Sequence, residues 1–123
     1  GKHVVLVYPI PEVGWDAPRY LARRALLKAR CGSETGQSST RFDAFQERNR
    51  RSFAMLDAIG EHPRLSRIYP HLVFCNSVEA DRCVFQRGPD VLYADHSHLS
   101  RAGARMLVPE IMQAVGPQIR RGP

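Results

Sequence analysis

The chain has 123 residues, 43% of them hydrophobic and 24% charged, a balance that excludes wholesale disorder and leaves room for a single domain, 1–123. No apolar run approaches the roughly 20 residues a bilayer span requires, and no secretory signal pattern opens the sequence. The 18 basic against 12 acidic residues give a net charge of +6. Apart from Lys2 and Lys28 the basic residues are all arginine, and they are scattered, with short clusters at Arg23-Arg24, Arg48 to Arg51 and Arg120-Arg121. They lack the interleaved aromatics of a stacking platform, so they read as a solvated basic surface and no nucleic-acid partner is expected.

Residues 3–8, H-V-V-L-V-Y, form a β-branched run without polar alternation. That pattern predicts a strand buried on both faces, as in a parallel sheet covered by helices. Pro9 and Pro11 stop it and open the loop P-I-P-E-V-G-W. Asp16 is placed to cap a helix that has Pro18 in its first turn. The helix should reach about Arg30, with Ala17, Tyr20, Leu21, Ala25 and Leu27 on its inner face. Residues 31–39 read as a loop.

A second helix is predicted from near Thr40 to the break at Gly60 and Pro63. Phe42, Phe45, Phe53 and Leu56 share its inner face, and Arg48, Arg50 and Arg51 point elsewhere, to solvent. Residues 65–75 hold a strand and a connection, with Pro70 leaving the register open. A short strand, V-L-Y at 91–93, leads into A-D-H-S-H. Ser100 should cap the last helix, where Ala104, Leu107, Val108, Ile111 and Val115 make an amphipathic stripe. Pro109 falls on the outer face and should bend that helix away from the sheet. The order β-α-α-β-β-α predicts an open, layered α/β architecture.

Chemistry concentrates in Asp95, His96, Ser97 and His98, between a predicted strand end and a helix start, where open α/β sheets gather ligands. Asp95 and His98 are three residues apart, so the carboxylate can hold one imidazole N–H and leave the other ring nitrogen facing outward. That is the orienting acid and general base of a nucleophilic triad. A capping Asp with a surface His is the plainer reading. Metal ligation by Asp95, His96 and His98 is a third, and no further His or carboxylate is placed to complete the shell. Three cysteines allow one disulfide and one thiol. Cys75 and Cys83 bracket N-S-V-E-A-D-R, a loop a disulfide readily closes, although isolated thiols fit the composition as well.

The string L-Y-A-D-H-S-H-L-S-R-A-G-A, residues 92–104, resembles the last block of SGNH (GDSL-type) hydrolases. More narrowly it is similar to the C-terminal SGNH domain of bacterial membrane acyltransferases that O-acetylate surface polysaccharides, with a pattern near Y-x-D-x-x-H-L-S-x-x-G-A. Tyr93, Asp95, His98, Leu99, Ser100, Gly103 and Ala104 meet its fixed positions. The segment K-H-V-V-L-V-Y-P-I-P-E and the paired cysteines Cys75 and Cys83 resemble further parts of the same domain.

The resemblance implies a three-layer open, mostly parallel sheet flanked by helices, a partial flavodoxin-like SGNH hydrolase fold. It implies that Asp95 orients His98, that His98 activates a serine, that Cys75 and Cys83 are bridged with Cys31 free, and that no cofactor or metal is needed. The sequence has neither the G-D-S nucleophile block nor the G-x-N-D oxyanion block, and Ser33, Ser38 and Ser39 lie in the wrong context. The chain is therefore read as the C-terminal half to two-thirds of an SGNH domain, with the nucleophile expected outside it. The resemblance implies acyl transfer, of acetyl groups, from a membrane acyltransferase domain to a glycan acceptor in the periplasm or another extracytoplasmic space. A carbohydrate O-acetyl esterase and a non-catalytic α/β binding module are the alternatives. Tyr8, Trp15, His71 and His96 are candidates to line a sugar site, against packing or surface placement.

Overall fold

The computed structural model describes residues 2–32 and 38–119. Along the chain run β1 (Val4–Val7), α1 (Ala17–Cys31), β2 (Ser39–Arg41), α2 (Phe42–Asp57), β3 (Leu65–Ile68) and α3 (Pro70–Phe74). They are followed by β4 (Arg82–Val84), β5 (Gln86–Arg87), β6 (Asp90–Val91) and α4 (Arg101–Ile119). The architecture is α/β. β1 and β3 pair in parallel with Val4 opposite Leu65 and Val7 opposite Ile68, and α2 lies in the crossover between them. β2–β4 and β5–β6 are antiparallel pairs. The extended parallel sheet expected from the sequence is represented among the described residues by β1–β3 alone.

That narrow sheet explains a departure from the sequence reading. β1 is not buried on both faces: Val4 is 55% and Val7 50% exposed. With β3 as its one partner among the described residues, the strand keeps an open edge. Its β-branched composition records strand propensity, while burial depends on neighbours supplied by other segments.

The helix caps follow the sequence closely. Asp16 Oδ1 accepts the Arg19 backbone N–H at 2.9 Å, and Pro18 sits in the first turn of α1. α1 closes on Gly32, whose φ of 66° permits its N–H to reach the Lys28 carbonyl at 2.9 Å. Only the first half of the expected inner face is used: Ala17 is buried and Tyr20 and Leu21 pack on the core, whereas Ala25 and Leu27 are exposed. On α2, Phe45 is buried and Phe42, Phe53 and Leu56 are half-buried, as the periodicity requires. Pro70, which left the register open in sequence, begins the short helix α3, where its missing N–H costs nothing.

Two local expectations are corrected. Ser39 to Arg41 form a strand rather than loop and helix start, because β4 offers them a ladder. Residues 33–37 of the expected loop, Ser33 included, and the Arg120-Arg121 cluster lie outside the described residues. On α4 the buried positions are Gly103 and Leu107, with Ala102 and Met106 against the core. Ala104, Val108 and Ile111 of the predicted stripe are exposed. The helix runs through Pro109 as one element.

The main core joins Val13, Ala17, Phe74, Val84, Phe85, Leu92, Tyr93 and Leu107. It therefore packs the loop after β1 directly against the residues that enter the D-x-x-H segment. A second cluster of Phe45, Cys75 and Cys83 holds α2 to β4.

Candidate active site

Leu92 and Tyr93 anchor the segment that carries the candidate residues, being about 1% exposed each. From them the chain makes a closed loop: Tyr93 bridges Leu99, and the Ala94 N–H donates to the His98 carbonyl at 2.8 Å. The exit is pinned as tightly. Ser100 donates its backbone N–H to the Leu92 carbonyl at 2.9 Å and its hydroxyl to the Val91 carbonyl at 2.6 Å. The same hydroxyl oxygen accepts the Gly103 N–H at 3.2 Å, so Ser100 caps α4 as its position in the sequence predicts.

Gly103 explains the small residue in this block. A Cβ there would lie 3.0 Å from the Leu92 carbonyl carbon and closer still to its oxygen. Only a bare Cα lets the first turn of α4 press on the strand end. The loop is thus held from both sides by backbone contacts.

Within it, Asp95 uses both carboxylate oxygens. Oδ1 accepts the backbone N–H groups of Ser97 and His98 at 2.8 and 2.7 Å. Oδ2 lies 2.7 Å from His98 Nδ1. Two backbone donors, then the imidazole, hold the Asp95 carboxyl far below the usual carboxylate range, outweighing its modest desolvation. Because an ionised carboxylate only accepts, Nδ1 carries the ring proton. Nε2 is then the basic nitrogen, and it has no partner among the described residues. His98 is 78% exposed at its side chain. This arrangement can take a proton from a group brought to Nε2 and stabilise the resulting imidazolium.

His96 is placed differently. Its Nδ1 is 3.9 Å from Asp95 Oδ1, beyond hydrogen-bond range, and the ring is largely exposed. What His96 contributes is its backbone carbonyl, which accepts the N–H groups of Val13 and Gly14 at 3.0 and 3.3 Å. The buried Tyr93 hydroxyl donates to the Pro11 carbonyl, and burial, reinforced by nearby Glu12, pushes that phenol up. These hydrogen bonds tie the loop after β1 to the D-x-x-H loop, at the carboxyl end of β1.

The other sequence candidates separate cleanly. Tyr8 packs on Phe53 and Tyr69, and its hydroxyl donates to Asp57 Oδ1 at 2.6 Å. Burial and that bond push its pKa up to about 12. His71 sits among Phe42, Phe45, Phe53 and Tyr69, where burial lowers its pKa. Both belong to packing. Trp15 stays 42% exposed beside Tyr20 and Phe85. Ser39 is buried, donating to Glu79 Oε2 at 3.1 Å and accepting from Arg82 Nε at 3.0 Å, which occupies its hydroxyl.

The sulfurs of Cys75 and Cys83 lie 2.06 Å apart, at disulfide distance, and Cys31 is an exposed free cysteine. Among the described residues no group of three His, Cys, Asp or Glu side chains gathers as a metal site, and no helix is long and apolar enough to cross a membrane. One contribution escaped the sequence altogether. Arg48, assigned there to the solvent, reaches from α2 to the loop after β1 and donates to Glu12 Oε2 at 2.8 Å. The two residues are 36 positions apart and carry no shared motif.

Comparison with curated proteins and with solved structures returned no match. Residues 1–113, however, match the family model described as "SGNH domain (fused to AT3 domains)". The Tyr93-to-Ala104 block and the Asp95–His98 pair fall inside that span, and the chain belongs to this family, whose fusion to AT3 domains points to acyltransferase or esterase-type chemistry.

Proposed function

We propose that this chain supplies the acid–base half of an SGNH-type O-acyltransferase domain, with His98 as general base and Asp95 as the group that orients it. The observation that carries the reading is the 2.7 Å Asp95 Oδ2–His98 Nδ1 contact, which leaves Nε2 outward and basic. The nucleophilic serine comes from outside these 123 residues, which contain no G-D-S block.

In the proposed reaction His98 Nε2 takes the serine hydroxyl proton as the oxygen attacks the acyl carbonyl carbon. The tetrahedral intermediate collapses, the leaving group departs with the proton from the imidazolium, and an acyl-enzyme remains. A sugar hydroxyl then gives its proton to Nε2 and attacks the acyl-enzyme. The resulting imidazolium returns the proton to the serine oxygen as the sugar ester leaves. Asp95 stays ionised throughout, because its backbone donors stabilise the anion.

The acyl group, acetyl in this proposal, arrives from a membrane AT3 domain, and the acceptor is a cell-surface polysaccharide in the periplasm or an equivalent extracytoplasmic space. The family match to domains fused with AT3 supports this placement. A Cys75–Cys83 bridge fits an oxidising compartment.

The test uses a longer parent protein that includes both the AT3 domain and a G-D-S block. Acyl transfer to polysaccharide that disappears on His98→Ala supports the reading. Release of free acid with no sugar ester, equally dependent on His98, assigns the site to an esterase. Transfer that survives His98→Ala overturns the proposal.

A further inference from the structure

α1 carries Arg19, Arg23, Arg24, Lys28 and Arg30 and not one carboxylate. At 100° per residue, Arg19, Arg23, Leu26 and Arg30 fall within about 60° of one another, on the side of the helix opposite Ala17. Ala17 is fully buried and all four of these side chains are exposed, Leu26 by 64%. Leu27, next to the stripe, is 50% exposed. From Arg19 to Arg30 the stripe runs about 16 Å, at 1.5 Å per residue.

The fold gives these cations no internal purpose. Arginines elsewhere are met by acids: Arg41 by Asp43, Arg48 by Glu12, Arg50 by Glu47 and Arg67 by Glu61. Among the described residues Arg19, Arg23 and Arg30 make no such pair. Arg30 in the last turn suits the negative end of the helix, but Arg19 stands in the first turn, where the helix end is positive and no acidic side chain offsets it. Arg19 and Arg23 are also four residues apart, a like-charge spacing that destabilises a helix. An anion from outside the chain removes both costs.

The leucines narrow the kind of anion. A nucleic acid or an acidic polypeptide would take up the guanidiniums and leave Leu26 and Leu27 against a polar surface. A bilayer interface presents phosphate oxygens with acyl carbon just beneath them, so one helix face can satisfy both residue types. Arginine suits that boundary because its aliphatic stem lies along apolar surface while the guanidinium stays among the headgroups.

We infer that the outer face of α1 docks on an anionic phospholipid surface, with Arg19, Arg23 and Arg30 on headgroup phosphates and Leu26 reaching the acyl boundary. The inference goes beyond the acyl-transfer reading and does not rest on it. α1 begins just after Gly14, whose N–H is bonded to the His96 carbonyl. The docked helix therefore starts beside the loop that carries Asp95 and His98.

The purified chain would be sedimented with vesicles of phosphatidylcholine alone and of equimolar phosphatidylcholine and phosphatidylglycerol, at low and at physiological ionic strength. It should bind the mixed vesicles and not phosphatidylcholine alone, more weakly as salt screens the charges. Arg19→Gln, Arg23→Gln and Arg30→Gln together should weaken binding roughly 100-fold, about fivefold for each arginine near the surface. Lysine at the same three positions should bind within about fivefold of the parent chain, since the charge is kept. The same loss of charge elsewhere, by Arg51→Gln, Arg64→Gln and Arg105→Gln, should cost less than about fivefold. Leu26→Ser should lower the bound fraction most at physiological ionic strength, where the apolar contact matters most.

Amide spectra show whether each variant is folded; should the triple glutamine variant unfold, Arg23→Gln and Arg51→Gln carry the same comparison singly. Failure to sediment with the anionic vesicles at low ionic strength overturns the proposal. So does an equal loss from the α1 substitutions and from those elsewhere. Duplex DNA or polyglutamate holding the chain more tightly than the vesicles, at equal charge, overturns it as well. The acyl-transfer reading fails by a different measurement, the His98 dependence in the longer protein, so either conclusion can fall while the other stands.

Discussion

His98 Nδ1 meets Asp95 Oδ2 at 2.7 Å while Oδ1 of the same carboxylate holds the His98 backbone N–H, also at 2.7 Å. One side chain thus sets both the loop conformation and the ring orientation of its neighbour. In a domain carrying the serine, His98→Ala should lower acyl transfer by roughly 10³-fold to 10⁶-fold, the range for removing a triad base. Asp95→Asn should cost no more than that, because the amide can still accept the backbone N–H groups but cannot accept the imidazole N–H with its NH₂ end. His96→Ala should stay within about tenfold, since its contribution is a backbone carbonyl. Steady-state rates of the three variants decide this; loss on His96→Ala with retention on His98→Ala would refute the base assignment.

The depressed Asp95 carboxyl carries a pH signature. Its folded value lies below that of the unfolded chain, about 3.9, so its stabilising effect is complete above that pH and is lost as pH falls toward the folded value. Urea midpoints of the parent chain and Asp95→Asn should therefore differ at pH 7 and draw together progressively as pH falls below about 3.9. A difference that persists unchanged into acid would show that the charge of Asp95 is not what stabilises the loop.

Gly103 reverses the ordinary helix rule. In an exposed helix interior, Gly→Ala stabilises by about 0.5–1 kcal/mol. At Gly103 the new methyl would meet the Leu92 backbone, and overpacking of this kind costs about 1–3 kcal/mol. Gly103→Ala should lower the denaturation midpoint, and Gly116→Ala, with nothing near its built Cβ, should not. The sign of the first change is the test.

Tyr93→Phe removes the donor to the buried Pro11 carbonyl. Leaving that acceptor unsatisfied should cost about 1–3 kcal/mol and loosen the loop after β1. Hydrogen exchange should then quicken at the Val13 and Gly14 amides, whose acceptor is the His96 carbonyl. Unchanged protection there would uncouple the two loops.

A Cys75–Cys83 bridge should appear as one linked peptide in a non-reduced digest, with Cys31 alkylated under native conditions. Closing a loop this short stabilises by about 2–3 kcal/mol, so Cys75→Ser with Cys83→Ser should lower the midpoint accordingly. A linked peptide containing Cys31 would contradict the pairing.

Several features were legible because their physics is local. Asp16 and Ser100 cap helices through contacts three residues away, and Asp95 reaches Ser97 and His98 across a single turn. The phenylalanines of α2 share a face because 100° per residue requires it. Such relations need no knowledge of the rest of the chain. The sequence by itself thus determined the starts of α1 and α4 and the Asp95–His98 geometry.

Tertiary structure decided what depends on distant partners. Ser39 to Arg41 became a strand because β4, more than forty residues on, supplied its hydrogen bonds. The buried face of α4 was set by the approach of Gly103 to Leu92, a steric condition that outranked the hydrophobic stripe from Ala104 to Val115. The Glu12–Arg48 pair likewise exists only because α2 lies beside the loop after β1. The physical reason is common to all three. Hydrogen-bond ladders, close backbone approach and ion pairs act over a few ångströms in space, and only the folded chain brings residues so far apart in sequence within that reach.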